Sequence, residues 1–197
     1  MKTKLFVTVF LVSLLAACGP SAQISKSWMD PSVTASTWKP FQKVLVLGLV
    51  KDDATRRIIE DKLAAQFSGR AIQSYKYLSA TDTLDADVEA KLVKDGFDGL
   101  VYMRLANVEQ STSYVPGTTS YGGFYGYRGY GYGMSGSPGY YQEDKTYNVE
   151  TNFYSLQPPK LLWSGTTASV NPGKLDGTVD GIIMAVKDEF QKKNLIK

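Results

Sequence analysis

Lys43-Val44-Leu45-Val46-Leu47-Gly48-Leu49-Val50 is the stretch on which the fold turns. Its apolar, β-branched residues run on without the alternation of a half-buried strand, which suits a strand covered on both faces of a sheet. Asp52 and Asp53 follow as helix-capping residues, and Ile58, Ile59, Leu63 and Phe67 recur at helical spacing until Ser68-Gly69 stops the pattern. Ala71 to Leu78 reads as a second strand. Thr83 then precedes Leu84, Val88, Leu92 and Val93 on one helical face, Gly96 is placed to end that helix, and a third strand begins near Gly99. Strand, helix, strand, helix, strand implies parallel neighbours, because a parallel pairing needs a connection long enough to travel back.

Downstream the pattern changes. Leu100 to Val108 alternates imperfectly, while Lys145 to Leu156 places Tyr147, Val149, Thr151 and Phe153 on one face and Asn148, Glu150, Asn152 and Tyr154 on a wetter one. Pro158-Pro159 predicts a turn and Leu161-Leu162-Trp163 opens the next strand, so this pair reads as an antiparallel hairpin. Leu175, Val179, Ile182, Ile183, Val186 and Phe190 form the apolar stripe of a closing helix, with Lys192 and Lys193 near its C-terminal dipole. The expectation is an α/β fold over residues 41–197. It is one domain of two or three layers on a mixed sheet, in the order β-α-β-α-β-loop-β-β-α.

Upstream, Lys2 and Lys4 precede an apolar stretch from Leu5 to Ala17, the layout of an export signal over residues 1–17. A spanning helix wants roughly 20 apolar residues, so this segment is expected to be cleaved rather than kept as an anchor. The junction Leu15-Ala16-Ala17-Cys18-Gly19 resembles the lipobox of bacterial lipoproteins. That resemblance implies a diacylglycerol thioether on Cys18, cleavage just before it and a further acyl chain on the new amino group. Two or three acyl chains anchor stably where one holds only marginally. In that family an aspartate after the cysteine retains the protein in the inner membrane, so Gly19 implies the outer membrane, on its periplasmic face. Residues 18–40, rich in Ser, Thr, Pro and Ala, read as a tether, with Trp28 and Trp38 packing against the domain edge where the chain enters it.

Composition removes several function classes. Loss of Lys2 and Lys4 turns 22 basic and 19 acidic residues into 20 and 19, which leaves no basic stripe for nucleic acid. With no histidine and one cysteine, intramolecular disulfides, Cys/His metal sites and His-based nucleophile pairs are ruled out. No cofactor is expected. Asp52, Asp53, Glu60, Asp61, Asp95 and Asp98 are the carboxylates near predicted element ends; they read mostly as caps and solvated faces, with Arg56 and Glu60 as an i,i+4 ion pair. A histidine-free carboxylate hydrolase acting on envelope glycans, or a binder of such glycans, is the alternative.

Between the third and fourth strands, Tyr114 to Tyr141 holds eight tyrosines and nine glycines in 28 residues. So much glycine with so few aliphatic residues predicts a mobile loop. Lengthening a connection from about five to about 28 residues costs only about 1.5 kcal/mol, so the domain tolerates it. It reads either as an inert insertion or as a contact surface. In the second case Tyr121, Tyr125, Tyr127, Tyr130 and Tyr132 present amphipathic rings at low side-chain entropy cost.

Ser27-Trp28-x-Asp30-Pro31, the buried first strand and Arg56-x-x-Ile59-Glu60-Asp61 resemble a group of small bacterial lipoproteins of unassigned activity. The element order also resembles, at the level of topology, lipoproteins that assist curli secretion or activate penicillin-binding proteins. The expectation is a non-enzymatic, membrane-anchored interaction or assembly module with an envelope protein or glycan as partner.

Overall fold

The computed structural model describes residues 22–79, 82, 86–116 and 139–196. Strand β1 is Ala22–Met29, β2 Val44–Leu49, helix α1 Asp53–Ala65, β3 Ala71–Gln73 and α2 Ser74–Tyr77. They are followed by α3 Ala86–Lys94, β4 Gly99–Val115, β5 Tyr140–Leu156, β6 Pro159–Val170 and α4 Leu175–Lys192. The six strands form one sheet in the order β1-β6-β5-β4-β2-β3. β2 lies parallel to β3 and β4, whereas the β4–β5, β5–β6 and β1–β6 pairs are antiparallel. This is the mixed sheet expected from the order of elements.

Burial explains the continuous apolar run of β2. Val44 and Val46 face a core built with Ile59 and Leu63 of α1 and Val179, Ile182, Ile183, Val186 and Phe190 of α4. Leu45 and Leu47 face the other way, onto Val88 and Leu92 of α3 with Phe97. Each such side chain contributes about 1.5–3 kcal/mol when fully buried. The sheet is therefore sandwiched where β2 sits. On the side of α3, no described helix covers β5, β6 and β1, so two layers continue where three end.

Asp52 caps α1 as expected, its carboxylate accepting from the Thr55 N–H at 2.7 Å. Gly96, at φ +80°, follows α3 in the left-handed conformation that the helix stop requires. Trp38 meets Phe41 and Phe190 edge-on, as expected of a ring at the domain's edge, but Trp28 remains 48 % exposed on β1.

Three expectations need correction. The tether over residues 18–40 is wrong for its described part, because Ala22–Met29 is the edge strand β1, paired from Ala22↔Ser169 to Met29↔Trp163. A register shift between Ile24 and Lys26 breaks the two-residue period that would have revealed it. Ala71 to Leu78 is not one strand: it stops after three residues and turns into α2. The cause is Glu60 of α1, which accepts from the Ser74 hydroxyl and the Tyr75 N–H and so caps α2 from another helix. Finally, the insertion over 114–141 is narrower than its boundaries, since β4 runs on to Val115 and β5 starts at Tyr140. Strand pairing carries the polar sequences Glu109–Ser113 and Gln142–Lys145, which have no apolar periodicity of their own.

Candidate functional site

Two features follow from this architecture. The first is an arm. β2 flanks β4 only as far as Arg104, and β6 flanks β5 only down to Thr146, yet β4 and β5 stay paired to Val115↔Tyr140. Six register pairs, Gln110↔Lys145 to Val115↔Tyr140, thus project as a two-stranded ribbon about 17 Å long. Both of its outer edges lack a strand partner among the described residues. Tyr114, Tyr140 and Tyr141 stand exposed at its end, and the Tyr114 and Tyr141 ring centroids lie 5.1 Å apart. The ring of Tyr114 lies over Gly139, where a Cβ would come within 2.1 Å of its hydroxyl. Tyr121, Tyr125, Tyr127, Tyr130 and Tyr132 lie outside the described residues, as does Cys18.

The second is a groove on the uncovered face, at the junction with α3. Its volume is ≈ 660 Å³, with Leu92, Leu100, Leu156 and Leu161 among its apolar lining and Tyr102, Tyr154, Glu89 and Lys160 among its polar lining. Beside it the β4–β5 register sets Leu100 opposite Tyr154, Tyr102 opposite Asn152 and Arg104 opposite Glu150. These side chains join into one ladder. Arg104 pairs with Glu150, and Asn152 donates to Glu150 and, at 2.6 Å, to the Tyr102 hydroxyl. Burial, and then a hydrogen bond with Tyr102, push the Tyr154 phenol above its ordinary value.

Lys160 at the groove's rim is tied to Asp30 at 2.8 Å, which fastens the end of β1 to the β5–β6 turn. Hydrogen bonds from Lys160 and then Ser32 hold the Asp30 carboxyl down to about 2. A carboxylate whose folded value is depressed adds stability that is fully present above its unfolded value, near 3.8, and is lost as pH falls toward 2. The stability difference between the protein and Asp30→Asn, followed by thermal unfolding, is therefore expected to be constant from pH 7 to about 5 and to shrink between about 4 and 2. A difference that does not change with pH would remove this ion pair as its source.

The six carboxylates picked out in the sequence are dispersed among structural tasks. Asp52 caps α1; Asp53 pairs with Arg56 and Arg57; Asp61 accepts from Gln73 and Tyr75. Asp95 accepts from Tyr77, whose phenol is pushed up to about 12 by burial and then by this bond. Asp98 takes the backbone N–H groups of Gln42 and Lys43. The expected Arg56–Glu60 pair does not form, because Asp53 holds Arg56 and Glu60 is buried against β2 and α2. Among the described residues no cluster of Asp, Glu, His or Cys could hold a metal ion, and no helix is long and apolar enough to cross a membrane.

The alternation on β5 sets Glu150, Asn152 and Tyr154 on one face as expected, but that face is not uniformly wetter, since Asn148 and Asn152 are buried. The partners of Asn152 and Glu150, Tyr102 and Arg104, escaped the sequence reading, since a register shift between Leu105 and Asn107 disturbs the alternation of β4.

No family model and no curated protein matches the chain. Among solved structures it is similar to the PelC dodecamer from Paraburkholderia phytofirmans, at 10% identity and a TM-score of 0.43, covering 84% of this chain and 94% of that one. It is also similar to the lipoprotein GNA1162 from Neisseria meningitidis, at 14% identity and a TM-score of 0.39, covering 76% and 98%. TolB from Acinetobacter baumannii follows at 16% identity and a TM-score of 0.32, covering 85% of this chain and 31% of that one. All three of these TM-scores lie below one half.

Proposed function

We propose that this protein is a non-enzymatic interaction module of the bacterial envelope. Acyl chains on Cys18 hold it to the membrane, and it engages partners through the β4–β5 arm and the Gly/Tyr stretch between the arm's strands. The observation that carries this reading is the arm itself. Edge strands in soluble proteins are commonly blunted by lysine, proline or shortness. Asn107-Val108-Glu109-Gln110-Ser111-Thr112-Ser113-Tyr114-Val115 has neither lysine nor proline and runs nine residues. Such an edge can accept an extended segment of another protein as an added strand, with main-chain hydrogen bonds supplying affinity. The exposed Tyr114, Tyr140 and Tyr141 add large amphipathic rings at its end. Tyr121, Tyr125, Tyr127, Tyr130 and Tyr132 extend the same chemistry along the chain.

The test is crosslinking in intact envelopes with two variants. One replaces residues 116–139 by an Asn-Gly turn, and the other carries Ser111→Lys with Ser113→Lys on the β4 edge. Both are expected to fold with unchanged circular dichroism and to lose crosslinked partners, while Cys18→Ala protein leaves the membrane fraction. A crosslinking pattern identical to that of the unaltered protein in both variants would sink the arm as the contact element.

A further inference from the structure

The Tyr102–Tyr154 groove is a separate matter from the arm and does not depend on it. The two phenol rings lie nearly parallel, with centroids 5.9 Å apart and 20° between their planes. Tyr102 is held from behind: Asn152 donates to it, and Asn152 is itself tied to Glu150, which pairs with Arg104. A platform fixed in this way has little freedom left to lose when a ligand lands on it. The groove's volume of ≈ 660 Å³ falls within the range of about 300–1,000 Å³ usual for small-molecule sites.

Its chemistry narrows the occupant. The cations beside it are matched internally, Arg104 by Glu150 and Lys160 by Asp30, so an anionic ligand would find no uncompensated partner in either pair. Leu92, Leu100, Leu156 and Leu161 ask for an apolar surface. The two phenols and the Glu89 carboxylate among the lining ask for hydrogen-bonding groups beside that surface. An acyl chain would satisfy the leucines but bury the polar groups unpaired, which is unfavourable. A pyranose ring satisfies both, having an apolar face of C–H groups and a rim of hydroxyls that donate and accept.

We propose that this groove binds a neutral saccharide, with a pyranose face stacked on Tyr102 and Tyr154 and hydroxyls donating to Glu89. The site does no chemistry on the sugar; it holds it.

The experiment titrates the purified protein with chitotetraose, cellotetraose and maltotetraose, and in parallel with decanoate, following backbone amide shifts by NMR. At least one tetrasaccharide is expected to saturate with a Kd below about 1 mM and to move the amides of residues 100–104 and 152–156. Tyr154→Ala and Tyr102→Ala are each expected to weaken it about tenfold or more, whereas Tyr114→Ala on the arm changes it less than about threefold. The shift map of the unaltered protein decides the matter even if an alanine variant fails to fold. Three results would each overturn the proposal: no saturation by any tetrasaccharide up to about 10 mM, saccharide shifts confined to other residues, or saturation of the groove by decanoate alone. None of them bears on the arm, whose own test is crosslinking.

Discussion

Glu60→Ala is expected to destabilise the domain by about 3–5 kcal/mol, read as a drop in the midpoint of denaturant unfolding at unchanged slope. Glu60 is fully buried, and its carboxylate accepts three hydrogen bonds. They come from the Gly48 N–H of β2 at 3.1 Å, the Ser74 hydroxyl at 2.6 Å and the Tyr75 N–H of α2 at 3.2 Å. Alanine strands these donors at once and leaves a void, and an unpaired buried donor costs more than a formed bond is worth. Gly48 shows how closely the helix approaches, for a Cβ there would stand 3.1 Å from the Arg56 carbonyl and 3.3 Å from Ile59. Glu60→Gln keeps one acceptor oxygen but turns an amide toward a donor, so a smaller loss of about 1–2 kcal/mol is expected. Hydrogen exchange at Tyr75 is expected to accelerate in the alanine variant, because α2 loses the cap that nucleates it. A loss below about 1 kcal/mol for Glu60→Ala would show that water or a neighbouring group takes over the three donors.

Trp163→Ala has an effect of similar size, about 3–5 kcal/mol, for a different reason. Trp163 is fully buried and stands edge-on to Phe153 at 5.7 Å and to Phe190 at 5.1 Å. It thereby ties β5, β6 and the end of α4 into one cluster, which Trp38 extends from the entering chain by an edge contact with Phe190 at 5.6 Å. The indole lies on Gly165, where an added Cβ would come within 2.2 Å of the ring. Gly165→Ala alone is therefore expected to cost about 1–3 kcal/mol by overpacking. In the double variant Trp163→Ala with Gly165→Ala, the methyl enters space that the indole vacated. The combined loss should fall short of the two single losses added together, and a thermodynamic cycle over the four proteins reads that shortfall. Simple additivity would mean that Gly165 serves the backbone rather than the ring.

The outcome divides along a physical line. Val44–Val50, the periodic faces of α1, α3 and α4, and the alternation on β5 were legible because burial within one element repeats at the element's own period. They were enough to place the α/β order and to set Glu150, Asn152 and Tyr154 on one face, although Asn148 and Asn152 are buried there rather than wet. The absence of histidine and the lone cysteine restricted the chemistry without reference to any fold. What the sequence left open lies in contacts between distant residues. β1 pairs with β6 across some 140 positions and hides behind a bulge. Glu60, one turn beyond Arg56, looks like a surface ion pair until Ser74 and Tyr75 are folded over it. The length of the arm and the meeting of Tyr102 with Asn152 and Tyr154 depend on the register between β4 and β5. Register is a property of two strands together, settled by their shared hydrogen bonds and by a shift at Leu105–Asn107, and neither strand encodes it alone.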